Sequence, residues 1–362
     1  MNKKFLLIHL FDDYSGSPKV LSSFINVLKK NGVLFDVFIG SGSKGFINSS
    51  STTSSFLYKR SNCKLITLFF YLVSQFVLFF KVLKWIYNNK KEDKIILVNT
   101  LLPFGAALAG KMCNVEVNYY LHEVSISPKL LNFTLVKVME CTSSYNLFVS
   151  DYVKGVYTNL PGCVIYNCAD PMYETINLTD DALYNKWLKK NVLLVCSLKT
   201  YKGYLSFIEI AKENDFLFTL ILNCSQSDFH ELNRGLDLPP NIDVVFRPQK
   251  LADYYIDSFL VFNLSDPQYW IETFGLTILE GMFSYSPIIC PQIGGPAELV
   301  RDNCDGWHIS FLDKNRISSK LSYLSKDYDK WLCFSRSARS RAEEFSNSRY
   351  EYEICRTFSI YN

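Results

Sequence analysis

The chain alternates short apolar runs rich in β-branched residues with longer stretches of helical periodicity, and it does so in two series. The first comprises 5–10, 34–39, 95–99, 115–121, 147–150 and 164–167, with a helix opening at Ser17-Pro18 and running to Asn31-Gly32. The second comprises 192–197, 216–223, 242–246, 259–263 and 288–290. Strands that short and that apolar must be covered on both faces, and helices between them supply the cover. The pattern therefore predicts parallel sheets wrapped by helices. A polar stretch at 175–190 reads as a linker, the Ser/Thr/Gly-rich 41–55 as a mobile loop, and 347–362 as a final helix. The expected organisation is α/β, with two Rossmann-like domains at 1–170 and 171–346 facing a central cleft, and a C-terminal helix at 347–362 crossing back to the first domain. Ligands of such sheets bind beyond the carboxyl ends of the strands.

Composition narrows the classes. At 362 residues the chain has room for about two domains of ~150 residues, and 48% hydrophobic residues suffice for two cores. A net charge of +3 provides no strong field toward nucleic acid, so no such partner is expected. Eleven cysteines, without Cys-x-x-Cys pairs or zinc-like spacing, fit a reducing cytoplasm. The apolar run after Met1-Asn-Lys-Lys is too short for a signal peptide, and Asp12-Asp13 follows it at once.

The segment 65–80 stands apart. It is apolar almost all round, interrupted by Ser74-Gln75, preceded by Lys59, Arg60 and Lys64, and followed by Lys81 and Lys84. It is shorter than the roughly 20 apolar residues of a spanning helix. Two readings stand level, a buried helix of the first domain or a surface over 65–84 that rests on anionic lipid, and a membrane-spanning helix is the least favoured third.

Glu272 and Glu280 carry the most chemical information. Seven residues separate them in Glu-Thr-Phe-Gly-Leu-Thr-Ile-Leu-Glu. Glu272 falls in a loop and a helix starts near Gly275. The unpaired first amides of a helix can hold a diphosphate, and Glu280 lies roughly 7.5 Å further along the axis, the reach from a diphosphate to ribose hydroxyls. Alone, such a pair is more often a helix with a solvated Glu at each end. Four further features accompany it. Lys202-Gly203 follows a buried strand in Cys-Ser-Leu-Lys-Thr-Tyr-Lys-Gly, where Lys202 could also be a solvated residue before a turn. Gly16 lies between the first strand and its helix, where an ordinary turn is the alternative. His122 ends a strand, followed by Glu123, although a lone His is usually structural. Pro287-Ile-Ile-Cys leads to Gly294-Gly-Pro-Ala-Glu298.

Together these residues resemble the retaining glycosyltransferases of the GT-B fold, family 4. The Glu-x7-Glu element with Phe-Gly after the first Glu, the Pro before a strand and the Gly-Gly-x-x-Glu turn are the family's signature. Lys202-Gly203 resembles the end of its Gly-Arg-x-x-x-x-Lys-Gly segment, but Cys196 and Ser197 stand where Gly and Arg are usual, leaving one cation short unless Lys199 supplies it. Tyr166-Asn-Cys-Ala-Asp170 is similar to its Asn-Gly-Val-Asp marker, departing at Cys168, and only one glycine of the usual pair remains at Gly16. The resemblance implies transfer of a hexosyl residue, with retention, from a nucleotide-diphosphate sugar to a hydroxyl acceptor such as a lipid-linked or growing surface glycan. Glu272 and His122 would be catalytic. Glu280, Lys202, Lys199, Gly16 and the amides of Phe274, Gly275 and Leu276 would hold the donor. No metal or other cofactor is expected, and Asp327-Tyr-Asp329 reads as a solvated helix face. By analogy the protein would be bacterial and cytoplasmic, placed at the inner face of the membrane. A nucleotide-sugar 2-epimerase of the same architecture, or a catalytically silent binding subunit, are the rivals.

Overall fold

The computed structural model describes residues 3–42, 44–50, 53–61 and 63–360. It consists of two compact units, Met1–Asn167 with Tyr350–Asn362, and Cys168–Arg349.

The first unit is built on seven strands: β1 (Lys3–His9), β2 (Leu34–Gly40), β3 (Ser54–Phe56), β4 (Asp93–Asn99), β5 (Glu116–Leu121), β6 (Tyr145–Phe148) and β7 (Gly162–Val164). They run in the order β3-β2-β1-β4-β5-β6-β7, every neighbouring pair parallel. The runs Phe5 to Ile8 and Ile95 to Val98 are almost wholly buried, as strands covered on both faces must be. The helix Asn347–Thr357 ties into this unit: Glu351 pairs with Lys30 at 2.6 Å, and the Phe358 ring packs edge-on against Phe5 and Phe24.

The second unit holds β8 (Asn191–Cys196), β9 (Leu217–Leu222), β10 (Ile242–Phe246), β11 (Leu260–Phe262), β12 (Ile288–Cys290) and β13 (Gly306–His308). Their order is β10-β9-β8-β11-β12-β13, again all parallel. Trp331 stacks on Phe259 with centroids 5.9 Å apart, and its indole N–H donates to the Phe259 carbonyl at 2.8 Å, so a large ring is buried with its polar atom satisfied. In both sheets the strand order reverses once, between β1 and β4 and between β8 and β11. At such a reversal the connecting chains diverge and leave a crevice beyond the strand ends.

Two expectations need correction. The segment 41–55 is no uniform loop. The buried Asp12 carboxylate accepts the amides of Ile47 and Asn48 at 3.0 and 2.9 Å, fixing the helix Phe46–Ser50, and β3 pairs with β2. Residues 43, 51 and 52 of that expectation lie outside the described residues. Nor is 175–190 a linker: it contains the helix Asp180–Lys189, capped by the Thr179 hydroxyl, with acids in its first turn and lysines in its last. Lys186 of this helix is buried, and its ammonium donates to the carbonyls of Tyr255 and Ser284. Burial drives its pKa well below that of an ordinary lysine.

Candidate functional site

In the second unit the chain leaves β8 and makes a tight turn, Thr200–Lys202, ending at Gly203. Gly203 has φ 81°, and a Cβ there would stand 2.2 Å from the Leu264 carbonyl oxygen, so only glycine lets this turn lie against the segment that leaves β11. The two chains that diverge at the strand reversal are thus held backbone to backbone, and each contributes one charge. Lys202 Nζ meets Glu272 Oε2 at 2.6 Å, both side chains about four-fifths buried. The ammonium also lies 5.1 Å from the Trp270 ring, which stacks on Tyr201.

The glycine pair of the later turn fixes the other side of this loop. A Cβ on Gly294 would come within 2.3 Å of the Glu272 carbonyl oxygen, and one on Gly295 within 2.3 Å of Phe274 Cα, while Gly295 N–H donates to that Glu272 carbonyl at 2.9 Å. The Gly-Gly turn is therefore a template for the Glu272–Phe274 backbone. Phe274 is buried, Gly275 takes φ 111°, and the helix Leu276–Phe283 begins with no side-chain cap and no acid in its first turn. That leaves its positive end available to an anion. Glu280 is on the buried side of this helix, 3% exposed, with the Tyr255 hydroxyl donating to Oε2 at 3.0 Å. Burial, then the Glu280 charge, pushes the Tyr255 phenol pKa well up, so the phenol stays a donor. Lys199 is exposed, with no carboxylate partner among the described residues. Asp327 caps the helix Tyr328–Ala342 and pairs with Lys330 at 3.0 Å.

In the first unit a polar chain occupies the corresponding reversal. His9 ends β1, Asn99 ends β4, and His122 follows β5. The Asn99 amide N–H donates to His9 Nδ1 at 3.0 Å and to the Ser17 carbonyl at 3.2 Å, and its oxygen accepts from His122 Nε2 at 2.8 Å. With the amide so oriented, His122 carries its proton on Nε2 and a lone pair on Nδ1. Burial, reinforced by His9, lowers the His122 pKa to about 3, so the ring is neutral. Beside it the Glu123 carboxyl is enclosed, Oε2 having no hydrogen-bond partner among the described residues, and burial raises its pKa to about 7. Gly16 opens the helix Gly16–Lys30, with nothing within 4 Å of where a Cβ would stand.

The fold thus joins Lys202 to Glu272 and sets Phe274, Gly275, Leu276 and Glu280 along one loop and helix. It links His122 to two residues the sequence did not single out, His9 and Asn99. Tyr255, Tyr201 and Trp270 were missed as well. Trp270 stands two residues before Glu272 and was legible as an aromatic beside the site. His9 and Asn99 could have been found as polar residues closing apolar strands at the reversal.

The sequence model of the family described as glycosyl transferases group 1 matches residues 185–341. Two curated sucrose synthases align over part of the chain. The one from Acidithiobacillus caldus is 34% identical over 84 residues, which are 22% of this chain and 11% of that protein, so the match spans about a tenth of the relative. Among solved structures, Anabaena Alr3699/HepE in complex with UDP-glucose superposes with a TM-score of 0.77 at 18% identity, covering 98% of this chain and 99% of that one. Sucrose-phosphate synthase from Thermosynechococcus elongatus gives 0.75 at 14% identity, covering 99% and 98%. Residues 185–341 thus match the glycosyl transferases group 1 model, and the chain as a whole has the GT-B fold of two parallel-sheet α/β units.

Proposed function

We propose that this protein transfers a hexosyl residue from a nucleotide-diphosphate sugar to an acceptor hydroxyl with retention at the anomeric carbon, without a metal. The observation that carries the proposal is the Lys202–Glu272 pair, set at the strand reversal of the unit that matches the glycosyl transferases group 1 model and adjoining an uncapped helix start. Lys202 and the amides at Phe274, Gly275 and Leu276 neutralise the diphosphate, Lys199 adding a second cation where Ser197 supplies none. Glu272 accepts hydrogen bonds from donor-sugar hydroxyls, and Glu280, steadied by Tyr255, from the ribose. In retention the acceptor attacks on the face that the diphosphate leaves. The bond from C1 to the diphosphate breaks as the bond to the acceptor oxygen forms, and the acceptor proton passes to the departing phosphate. The protein then acts by placing charge and hydroxyls rather than by offering a nucleophile. The neutral His122, with its Nδ1 lone pair, serves as an acceptor for a sugar hydroxyl. A uridine diphosphate sugar is the first donor to try, because the HepE structure is a complex with UDP-glucose.

The acceptor is a saccharide hydroxyl, on a lipid-linked or growing surface glycan, and the site of action is the cytoplasm. A thermal-shift screen with uridine, guanosine and adenosine diphosphate sugars identifies the donor, since a ligand at a hundredfold excess over its Kd stabilises by about 2.7 kcal/mol. Nuclear magnetic resonance of the product reads the anomeric configuration. An inverted product rules out retention; stabilisation by no nucleotide sugar rules out the donor site; a changed sugar without an acceptor identifies an epimerase instead.

A further inference from the structure

The helix Lys64–Asn88 presents its apolar side outward. Ser74 and Gln75, its polar pair, are buried at 0% and 2% exposure, while Leu65, Phe69, Leu72, Phe76 and Phe80 form an outer stripe, Phe76 at 66%. Those five recur every three or four residues, the spacing that puts side chains on one helix face. Only 28% of the most apolar 18-residue stretch is buried, whereas a core helix would be mostly covered. Of the two readings the sequence left level, the buried helix is the one the structure rules out.

The polar side is fastened. Tyr71 Oη donates to the Leu102 carbonyl at 2.7 Å, and Gln75 Oε1 accepts from the Gly105 amide at 3.1 Å. A Cβ on Gly105 would stand 2.2 Å from the Gln75 carbonyl oxygen, so this helix and Phe104–Met112 meet backbone to backbone. Turning the helix to cross a bilayer would break those contacts and leave Gln75 in hydrocarbon. Whatever covers the outer stripe must therefore meet the helix side-on.

Charge selects the occupant. From Lys59 to Lys91 the sequence has no Asp or Glu, and Lys59, Arg60, Lys64, Lys81, Lys84, Lys90 and Lys91 fall within or beside the helix. Lys81 is turned back onto Ser54 and Ser55, but Lys64, Lys84, Lys90 and Lys91 are exposed. A second copy of the same face would bring like charges together, whereas an anionic bilayer meets the phenylalanines with acyl chains and the lysines with headgroups. We infer that the outer face of Lys64–Asn88 lies flat in the surface of an anionic membrane, with Phe69, Phe76 and Phe80 inserted and the lysines at headgroup level.

Flotation of the full chain with vesicles of phosphatidylglycerol and phosphatidylcholine tests this. The protein is expected to float with the mixed vesicles, weakly with pure phosphatidylcholine, and less as salt rises. The variant Phe69→Ser/Phe76→Ser/Phe80→Ser should bind at least tenfold more weakly, with an unchanged thermal response to a nucleotide sugar. Should that variant not fold, Phe76→Trp provides a second reading: the emission it adds to that of the wild type should shift to the blue on vesicle addition. Failure of the wild type to float, equal binding by the triple variant, or an unshifted added emission in the Phe76→Trp variant overturns the inference. So does a dimer in light scattering that the triple variant dissolves while vesicles are ignored. A protein that floats yet responds to no nucleotide sugar would separate this inference from the proposed transfer.

Discussion

The two sheets place unlike chemistry at the same topological position. At the β8/β11 reversal the second unit holds opposite charges, Lys202 and Glu272, kept in place by a backbone template of Gly203, Gly294 and Gly295. At the β1/β4 reversal the first unit holds an uncharged chain, His9–Asn99–His122, whose rings are kept neutral by burial. This ion pair, with about a fifth of each side chain exposed, can be opened by a competing ligand, because each charge retains some access to water. A buried neutral network cannot exchange charge with a ligand but can orient a lone pair. The strand reversal of the second unit is thus suited to holding an anion, and that of the first unit, considered by itself, to directing a hydroxyl.

The strongest test of that contrast is to remove the charges. Glu272→Ala and Lys202→Met should each reduce kcat/KM by about 10²–10³-fold, the range for removing one preorganised electrostatic partner, and each should lower the melting temperature, because the remaining mostly buried charge loses its partner. Nucleotide release read by a coupled assay measures the first, calorimetry the second. Turnover at the wild-type level would reduce the pair to a surface salt bridge.

The neutral network should answer through pH. His122 has a folded pKa of about 3, below its unfolded value, so the unfolded chain binds more protons below about 6.5 and this residue lowers stability as pH falls. Glu123 acts with the opposite sign: a folded pKa raised to about 7 makes it lower stability as pH climbs from about 4.5 to 7. His122→Gln should flatten the acid-side loss, by at most about 1.4 kcal/mol per pH unit. Glu123→Gln should stabilise the protein at pH 8 but not at pH 4. Urea midpoints between pH 4 and 8 measure both, and parallel curves for the variants and wild type would show that neither group titrates as its burial dictates.

Glu280→Gln should weaken donor binding about tenfold by calorimetry, because a buried carboxylate acceptor becomes a neutral amide. Tyr255→Phe, which removes one hydrogen bond to that carboxylate, should lower stability by about 1.5–3 kcal/mol, read from urea midpoints. The smallest effect belongs to Lys199→Gln. An exposed, water-screened cation should change KM only about two- to fivefold and lose even that at high salt. An effect as large as that of Lys202→Met would make Lys199 the full replacement for the arginine absent at Ser197.

Strand legibility followed the edges of β-branched runs rather than burial alone. Ile242–Phe246, only partly buried, and Ile288–Cys290, fully buried, were placed to the residue, because Asn241 and Arg247 bound the first run and Pro287 and Pro291 the second. Strands β3 and β13 were missed. Ser54-Ser-Phe and Gly306-Trp-His carry no strand periodicity and become strands only by pairing with β2 and β12. The helix Asp180–Lys189 was hidden by its polarity, although Thr179 and the acids behind it are a start signal.

What the sequence determined alone was local and periodic: two series of buried strands, a glutamate loop leading into a helix, and a lysine-glycine turn after a strand. Each of these is set by neighbours in the chain. Only the tertiary structure decided which residues meet. Lys202 and Glu272 are 70 positions apart, His9 and His122 are joined through Asn99, and the direction faced by the aromatic helix depended on Gly105 meeting its polar side. Such contacts follow from strand order and from close backbone approaches between distant segments, and no spacing along the chain encodes them.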